Sequence, residues 1–421
     1  MFVAIDNTPR DYAWGSRSAI AGFRGRAAPG GPEAELWLGA HAGSPARIVD
    51  EASVGHADLA AWIAAEPVAA LGAAHAAQGA RLPFLLKVLA AGAPLSLQAH
   101  PTPAQARAGF AREDAEGVAI DAYDRNYKDE FHKPELIVAV SETFDALSGF
   151  RPMAEVRGVL AALRAADEAS ASPEPGALDL LEAKLSEPEP LRATVEWLLR
   201  DGRGGDTGEA SWVVERVTAL AASPEAADSE YARSFETVGA LAKAYPGDPG
   251  IVISLLLNRV RLRAGESLYL AAGNIHAYLD GLGIELMAAS DNVLRGGLTP
   301  KHIDVDELVD VLDFTPGPPP RLEPVEVAPG VQSFSPGVPD FALHRVESAG
   351  DGEERRIALA GPAIVLAERA AIELRGDASS GPVRLARGEA VFVTPDEREL
   401  VIAGDGVAWV ASVGGPGASA R

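Results

Sequence analysis

Two stretches of the sequence decide the fold, GAPLSLQAH at residues 92–100 and GNIH at residues 273–276. In the first stretch Gln98 and His100 stand two positions apart, so a strand would direct both side chains to the same face. The second stretch is a glycine turn that ends in His276. With a carboxylate nearby, these three side chains would form a metal site, in a chain that has only 8 histidines and no cysteine.

The composition restricts the class of protein and its partners. A length of 421 residues is enough for two or three domains, and an apolar fraction of 47% is ordinary for a globular protein. The formal net charge of −23 argues against binding to nucleic acid or to an anionic membrane surface, because both require a basic face. An anionic substrate would therefore have to be bound by a few cations gathered at one place.

The absence of cysteine excludes disulfides and thiolate metal ligands, and it fits a reducing compartment. The first residues, MFVAIDNTPR, do not have the basic region and apolar run of a signal peptide. No run of about 18 apolar residues is present that could span a membrane. We therefore expect a cytoplasmic protein.

The spacing of apolar residues divides the chain into segments. As far as about residue 150, short apolar runs between Gly, Pro and Asp turns predict strands, at residues 82–89, 95–97 and 136–140. Apolar residues at helical spacing then predict an all-helical insert at residues 151–249. The β pattern returns after the insert, so we expect residues 1–150 and 250–314 to form one discontinuous β domain.

Further elements are predicted in the second half of the chain. We expect strands at residues 251–257 and 267–271 and a short helix at residues 305–312. Five prolines between Thr315 and Pro324 predict a stiff linker. Beyond this linker, short β-type runs predict a separate all-β domain at residues 325–413.

The segment LRAGESLYL at residues 262–270 is similar in sequence to LARGEAVFV at residues 385–393. One explanation is a duplicated β unit whose second copy has lost its histidine, since Asp396 follows where the first copy has its glycine turn and His276. Chance similarity between two turn-and-strand segments is the other explanation.

Two parts of the sequence resemble the motifs of the cupin superfamily. Gly92, followed after five residues by Gln98 and His100, resembles the first motif, with glutamine at the usual position of the first histidine. The segment from Gly265 to His276 resembles the second motif. Cupins are small jelly-roll barrels whose inward side chains can hold a metal ion.

A more specific resemblance is carried by four blocks in order: SLQAHP at 96–101, YKDEFHKPE at 127–135, GNIHAY at 273–278 and ELMAASDNVLRGGLTPK at 285–301. Together with YAWGS at 12–16 and ELWLGAH at 35–41, they resemble the type I mannose-6-phosphate isomerases (phosphomannose isomerases) as far as about residue 312. The resemblance implies a mainly β fold with a cupin jelly-roll metal domain, an all-α insert, and a second, metal-free jelly-roll domain at the C-terminus.

The function that this resemblance implies is the zinc-dependent interconversion of D-mannose 6-phosphate and D-fructose 6-phosphate through an enediol. Such an aldose–ketose isomerase links glycolysis to mannose metabolism and to GDP-mannose synthesis. Its partner is a small sugar phosphate, and we expect a monomer or a weak homo-oligomer.

The resemblance also implies roles for particular residues. One Zn²⁺ ion per chain would be held by Gln98, His100, Glu135 and His276. The candidate catalytic residues are Arg295, Lys133, Glu285 and Asp291, and the candidate substrate-binding residues are Ser96, Tyr278, Lys301 and Trp14.

The chemistry of these side chains supports this division. Glu135 would be the only anionic ligand, so the site would keep a net charge near +1 and the ion would remain a good Lewis acid. Arg295 is a fixed cation and a poor base, so we expect it to stabilise the oxyanion that develops during the reaction. The residue that carries the proton is left open among Lys133, Glu285 and Asp291, with His132 less favoured.

Two other functions remain possible on the sequence. An iron-dependent cupin dioxygenase would be expected to have more histidine ligands, and it would have no use for Arg295 and Lys301. A non-catalytic protein that binds a sugar phosphate as a sensor is the second alternative, although no DNA-binding motif accompanies the site.

Overall fold

Two large antiparallel sheets and a group of helices make up the described part of the chain. The structure is a computed structural model, and it describes residues 1–202, 207–350 and 352–414. The sheet-rich architecture with helices in the middle confirms the predicted fold class.

The strands of the described residues are, in chain order, β1 (Phe2–Asp6), β2 (Glu35–Leu38), β3 (Arg47–Ile48), β4 (Phe84–Ala91), β5 (Leu97–Ala99), β6 (Glu135–Ala139), β7 (Thr143–Phe150), β8 (Leu257–Arg263), β9 (Ser267–Leu270), β10 (His276–Ala288), β11 (Leu294–Gly297), β12 (Val325–Ala328), β13 (Val331–Phe334), β14 (Ala342–Ala349), β15 (Arg355–Ala358), β16 (Ala363–Arg369), β17 (Ile372–Gly376), β18 (Val383–Leu385), β19 (Ala390–Val393) and β20 (Glu399–Ser412).

The helices of the described residues are α1 (Ala19–Phe23), α2 (Leu59–Ala65), α3 (Pro67–Ala76), α4 (Pro103–Ala115), α5 (Met153–Ala169), α6 (Pro175–Lys184), α7 (Pro190–Asp201), α8 (Glu209–Ala221), α9 (Pro224–Ala227), α10 (Ala232–Ala244), α11 (Gly250–Leu256) and α12 (Val305–Val311), with a short 3₁₀ turn at Glu51–Ser53.

The first sheet, formed by β2 and β4 to β11, curves into a barrel around its longest strand, β10. The first residues of β10 pair with β5 and β7, and the residues from Gly281 onward pair with β4 and β6. Between these halves the register shifts, and Gly281 takes a φ of 123°, a conformation that glycine adopts without a Cβ clash. Because one strand belongs to both halves, the strands that carry the candidate ligands face each other.

The second sheet consists of β12 to β20 together with β1 and β3. Phe2 pairs with Val393, so β1 lies beside β19 although the two strands stand at opposite ends of the chain. The predicted segment 1–150 groups these N-terminal strands with the first sheet, but their backbone hydrogen bonds are made in the second. Long-range pairing of this kind leaves no local signal in the sequence.

The two sheets share one buried core. Side chains from the first sheet, such as Leu86 and Ile284, belong to the same apolar cluster as Val3, Phe334 and Trp409 from the second. Removing such side chains from water is the main favourable contribution to folding. The second sheet is therefore packed face to face against the first.

The helical insert is confirmed, since helices α5 to α10 lie between residues 153 and 244. The predicted strand at 251–257 is wrong, because α11 covers Gly250–Leu256. All residues of this helix are buried, so its apolar run shows no periodicity that could distinguish a helix from a strand. The Asp248 side chain accepts a hydrogen bond from the Gly250 N–H at 2.8 Å and stabilises the start of the helix.

Helices within the first 150 residues were not predicted. The clearest example is α4, which has a capping box: the Thr102 hydroxyl accepts from the Gln105 N–H, and the Gln105 side chain accepts from the Thr102 N–H. A proline follows Thr102 at the first helical position. This Thr-Pro-x-Gln pattern is a recognisable helix start, so the sequence contained the signal.

The proline-rich segment at residues 315–324 runs along the first sheet. The Gly317 N–H donates to the Phe150 carbonyl at 2.9 Å, and the Tyr269 N–H donates to the Pro320 carbonyl at 3.0 Å. Arg321 forms an ion pair with Glu266 at 2.9 Å. The segment is thus attached to the first sheet over its length.

Among the described residues, no single helix is both long and apolar enough to cross a membrane. Only the pair α2 and α3, bent by 67° at its break, meets those two criteria when the helices are taken together.

Candidate active site

The strands β5, β6, β10 and β11 meet at one end of the first barrel. His276, the first residue of β10, lies opposite Gln98 of β5, and Gln98 also lies opposite Arg295 of β11. Glu135 begins β6 and lies opposite Met287 of β10. The register brings His276, Gln98 and Arg295 together, and Glu135, paired with the other end of β10, reaches His276 across the barrel.

His100, Glu135 and His276 form a buried group that can hold a metal ion. Glu135 Oε1 lies 3.3 Å from Nε2 of His100, and Oε2 lies 3.2 Å from Nε2 of His276. The candidate ligand atoms all lie within 4.8 Å of one another, and the three side chains are almost fully inaccessible to water. Imidazole nitrogen and carboxylate oxygen are ligands that zinc accepts.

The outer nitrogens of both rings are fixed by backbone carbonyls. Nδ1 of His100 lies 2.8 Å from the Asn292 carbonyl oxygen, and Nδ1 of His276 lies 3.0 Å from the Asn274 carbonyl oxygen. These contacts place the proton on Nδ1 of each neutral ring, so each Nε2 presents its lone pair. Neither Nε2 has a hydrogen-bond partner in the part of the chain that the structure describes. Buried polar atoms without partners are what a metal ion would satisfy.

The protonation states of the group also fit a metal site. Burial lowers the pKa of His100 to about 4, against the opposing charge of Glu135. Burial by itself would raise the pKa of Glu135, but the neighbouring His100 and Lys133 hold it well below its usual value. The imidazole of His100 is thus neutral and Glu135 is ionised near neutral pH, which are the forms that bind metal ions.

A cavity of about 550 Å³ opens in front of this group. Its lining includes ten of the residues predicted from the sequence: Trp14, Ser96, Gln98, Lys133, Glu135, Tyr278, Glu285, Asp291, Arg295 and Lys301. The remaining two, His100 and His276, contact Glu135 from behind the cavity wall. The structure therefore brings all twelve predicted residues together.

His132, the less favoured candidate for the proton carrier, is not among the residues that line the cavity. Its Nε2 lies 2.8 Å from Asp340 Oδ2, in the loop before β14 of the second sheet. Its neighbour Lys133 reaches the other way and places Nζ 3.3 Å from Glu135 Oε1. His132 is therefore directed away from the cavity.

Sequence reasoning missed a buried network around Lys87. Nζ of Lys87 lies 3.0 Å from Glu285 Oε2 and 3.3 Å from Glu35 Oε1. The Tyr278 hydroxyl donates to Glu285 Oε1 at 2.9 Å, and the Trp37 indole N–H donates to Glu35 Oε2 at 2.9 Å. A single lysine within the apolar run of residues 82–89 was the available signal, because a buried charge requires partners.

The charges of this network fix its protonation. Although burial opposes it, Glu285 and Glu35 raise the pKa of Lys87 above its usual value, so the lysine stays a cation. Burial and the nearby Glu285 raise the pKa of Tyr278 well above its usual value, so Tyr278 stays a neutral hydroxyl donor.

His41 and Asp291 form a second missed contact at the mouth of the cavity. The Gly43 N–H donates to Nδ1 of His41, so in the neutral ring Nε2 carries the proton and donates to Asp291 Oδ1 at 3.2 Å. Burial of Asp291 opposes its ionisation, but the hydrogen bond and charge of His41 outweigh this effect and lower the pKa of Asp291.

Arg295 and Lys301 differ from the other cations of the cavity. Over the described residues, neither side chain makes a hydrogen bond or an ion pair. Burial lowers the pKa of Arg295, and burial together with Arg295 lowers the pKa of Lys301. Two neighbouring cations without protein anions, at one wall of the same cavity, form a site that an anionic ligand can occupy.

Comparison with known proteins identifies the family. The sequence model described as phosphomannose isomerase type I, catalytic domain, matches residues 2–153. The chain is 36% identical to mannose-6-phosphate isomerase of Escherichia coli over 408 residues, which cover 95% of this chain and 96% of the relative. It is 30% identical to the human mannose-6-phosphate isomerase over 410 residues, which cover 92% of each chain.

The fold gives the same result. A zinc-bound crystal structure of mannose 6-phosphate isomerase superposes on this structure with a TM-score of 0.84 and 34% identity, over 98% of this chain and 99% of the other. Because the similarity extends over nearly the full length of each relative, and because the metal-binding group lies beside an anion site in one cavity, the chain belongs to the type I phosphomannose isomerase family.

Proposed function

We propose that this cavity carries out the zinc-dependent interconversion of mannose 6-phosphate and fructose 6-phosphate with the residues described above. The observation that carries the proposal is the combination, in one cavity, of the buried His100–Glu135–His276 group with the unpaired cations Arg295 and Lys301. The activity itself is that of the family to which the chain belongs.

The residues present fit a zinc ion. We assign its ligands to His100, Glu135 and His276, with Gln98 as a neutral fourth ligand that lines the cavity and lies opposite His276 in the strand register. The bare Nε2 atoms and the ionised carboxylate support this assignment. When bound, zinc supplies a Lewis acid that polarises an oxygen of the open-chain sugar.

Arg295 and Lys301 are assigned to the negative charges of the substrate and the transition state. Arg295 lies opposite Gln98 in the strand register, at the end of the cavity near the candidate metal ligands, so we assign it to the oxygen that becomes negative in the enediolate. Lys301 lies beyond it in the chain, at the cavity wall, and we assign it to the phosphate.

The proton between C1 and C2 is assigned to Lys133. In the aldose-to-ketose direction the unprotonated carrier removes the C2 proton to give the enediolate, and the protonated carrier, after partial exchange with solvent, returns a proton at C1 to give the ketose. Lys133 contacts Glu135, so it is the candidate closest to the reacting end. Glu285 is held by Lys87 and Tyr278 and is assigned to positioning them, so it is not favoured as the base.

Opening of the sugar ring requires a proton to leave the O1 hydroxyl and another to reach the ring oxygen. The His41–Asp291 pair at the mouth has an acidic partner and a basic partner in hydrogen-bond contact, and we assign this step to it. Trp14 and Ser96 line the same cavity and are assigned to contacts with the sugar.

The test is a coupled isomerase assay with mannose 6-phosphate, with and without a chelator. We expect fructose 6-phosphate to form, chelation to abolish the activity, and added Zn²⁺ to restore it. Activity that survives exhaustive chelation, with the metal content measured as zero, would remove the metal from the reaction. Absence of product with zinc bound would contradict the function.

Two variants in the same assay test the proton carrier. In deuterated water, exchange of the substrate's C2 hydrogen with solvent should be lost in Lys133→Met and should persist in Asp291→Asn, there at the rate set by spontaneous ring opening. The reverse result would transfer the assignment to Asp291. The iron-dependent dioxygenase and the non-catalytic sensor are not favoured by the family relationship.

Location and assembly complete the proposal. A cytoplasmic location is supported by the cysteine-free composition, and the net charge of −23 argues against nucleic-acid and anionic-membrane partners. We propose a monomer or weak homo-oligomer, which light scattering across a concentration series would test. The domain boundaries at residues 150, 250, 314 and 325 remain predictions.

A further inference from the structure

We propose that Asp248, in the helical insert, is a positioning residue of this site: its carboxylate holds the backbone of Leu298 in a left-handed conformation and thereby sets the Thr299–Lys301 segment in the cavity wall. The inference rests on the proposed function of Lys301. It also gives the insert a part in substrate binding.

The backbone of Leu298 is the first observation. Leu298 has a φ of 55°, which a residue with a Cβ rarely adopts, and it follows directly on Gly297, where β11 ends. Such conformations persist only where the surroundings impose them, and they cluster at functional sites. Leu298 is fully buried and lines the cavity, between Arg295 and Lys301 in the sequence.

The imposed contact comes from Asp248. Its Oδ1 accepts the Leu298 N–H at 2.9 Å and the Gly250 N–H at 2.8 Å. Two backbone donors of different segments thus converge on one carboxylate oxygen. Without Asp248, the buried N–H of Leu298 would lose this hydrogen-bond acceptor.

The fit around this contact is close. A Cβ added to Gly250 would lie 2.9 Å from Leu298 Cγ, and a Cβ added to Gly297 would lie 2.9 Å from Asp248 Oδ1. From the same turn of the insert, the Tyr245 hydroxyl donates to the Pro94 carbonyl at 2.8 Å, and Tyr245 lines the cavity. The turn at residues 245–250 is therefore attached to the cavity wall on two sides.

Loss of the acceptor should affect the two cations differently. Arg295 is held by the pairing of β11 with β5, where it lies opposite Gln98. The segment Thr299–Lys301 follows the left-handed residue Leu298 and lies outside β11. If Leu298 relaxes to an ordinary φ, the lysine moves and the arginine stays. Binding of the phosphate should therefore weaken more than turnover.

The experiment compares three variants of the zinc-loaded, full-length protein. In Asp248→Ala we expect the KM for mannose 6-phosphate to rise roughly tenfold, with kcat changed less than threefold, the size of effect expected for one lost charge-assisted contact. Asp248→Asn keeps an oxygen acceptor and should restore the KM to within about twofold of wild type. Zinc content should stay the same in all variants.

Asp201→Ala is the matched control. Asp201 also lies in the insert and accepts the Ala210 and Thr207 N–H groups, but its hydrogen bonds within the described residues stay inside the insert and none comes from Leu298–Lys301. It should lower the melting temperature without raising the KM. An unchanged KM in Asp248→Ala, an equal rise in Asp201→Ala, or no rescue by Asp248→Asn would each overturn the proposal.

A titration with inorganic phosphate separates this proposal from the proposed function. Calorimetry should show weaker phosphate binding in Asp248→Ala than in wild type, Asp248→Asn and Asp201→Ala. An inactive wild type would contradict the proposed function, while the phosphate affinities would still decide the role of Asp248. Equal phosphate affinities in all four proteins would overturn the positioning role.

Discussion

At the scale of single residues, the chemistry of the site follows from which charges have partners. Lys87 is matched by Glu35 and Glu285, and Asp291 is matched by His41. Arg295 stands apart, because its guanidinium makes no ion pair within the described residues. An unpaired, largely desolvated cation is preorganised for charge that develops during a reaction.

The first prediction concerns this guanidinium. Arg295→Ala should reduce kcat by roughly two to three orders of magnitude, which is the usual cost of removing one preorganised stabiliser of an oxyanion. The coupled isomerase assay measures it, with zinc content determined in parallel.

Arg321→Ala serves as the control, since Arg321 forms a half-exposed ion pair with Glu266 outside the cavity. Its kcat should stay within about twofold of wild type, because exposed pairs contribute little. A near-normal kcat for Arg295→Ala would show that the oxyanion is stabilised elsewhere.

The sequence allowed prediction of those residues whose spacing carries the chemistry. Gln98 and His100 stand two positions apart, on β5 and directly after it, and Glu135 and His276 complete recognisable blocks. The partners of Lys87 and His41 were missed, because only the folded barrel brings Glu35, Glu285 and Asp291 near them. Nothing local distinguishes Asp248 from any other aspartate in a turn.

At the scale of elements, the two sheets contain the same type of glycine turn, one before β9 and one before β19. Gly265 and Gly388 both take a left-handed φ, of 87° and 78°, in a turn that leads into β9 or β19. In each turn the glutamate after the glycine accepts a backbone N–H three residues earlier, at 2.9 Å for Glu266 and 2.8 Å for Glu389. The similarity between residues 262–270 and 385–393 thus corresponds to a turn of the same type, while common ancestry of the two units stays a prediction.

The second prediction concerns the pairing of β7 with β8. Asp145 lies opposite Arg261 and contacts both Arg259, at 2.6 Å, and Arg261, at 2.8 Å. Burial opposes ionisation of Asp145, but the hydrogen bonds from the two arginines lower its pKa below its ordinary value. Asp145→Asn should therefore reduce the free energy of unfolding near pH 7 by about 2 kcal/mol, measured by urea denaturation.

The pH dependence of that difference follows from the direction of the shift. A carboxyl with a lowered pKa in the folded state contributes stability that is complete above its unfolded pKa of about 3.9 and is lost as the pH falls below it. The unfolding free energies of the variant and wild type should thus begin to converge below about pH 4 and go on converging as the pH falls toward the lowered pKa of folded Asp145. A difference that is constant down to pH 3 would rule out this electrostatic origin.

A helix or strand could be predicted where its apolar residues recur with a spacing that the other type of element would not show. The amphipathic helices of the insert, such as α5 and α7, bury one face and show it in the sequence. The helix α11 is buried on all sides, so its apolar run was taken for a strand. The prediction failed because the burial of α11 on all sides is known only from the folded structure.

At the scale of the whole molecule, the sheets do not behave as separate units. β1 and β3 leave the first part of the chain to join the second sheet, and the apolar faces of both sheets share one core. The sequence indicated the all-β character of residues 325–413 but gave no sign that Phe2–Asp6 completes that sheet.

The third prediction follows from this arrangement. A fragment of residues 1–314 should not fold to a native-like state, because it would expose the core face that the second sheet covers, and β1 would lose its partner β19. Circular dichroism and size-exclusion chromatography of the fragment would test this.

Co-expression of residues 315–421 with this fragment should restore a folded complex with isomerase activity. A monomeric, cooperatively unfolding fragment 1–314 would show that the first barrel is independent of the second sheet.

The pairing of Phe2 with Val393 also affects the order in which the sheets can form during synthesis. The strand Phe2–Asp6 is synthesised before its partner β19, which follows about 390 residues later, or roughly 20 to 80 s at ordinary rates. During that interval β1 can pair with β3, through Ile5 and Ile48, but the edge that later joins β19 has no partner. We therefore expect the second sheet to close late, when β19 pairs with a strand that was synthesised about 390 residues earlier.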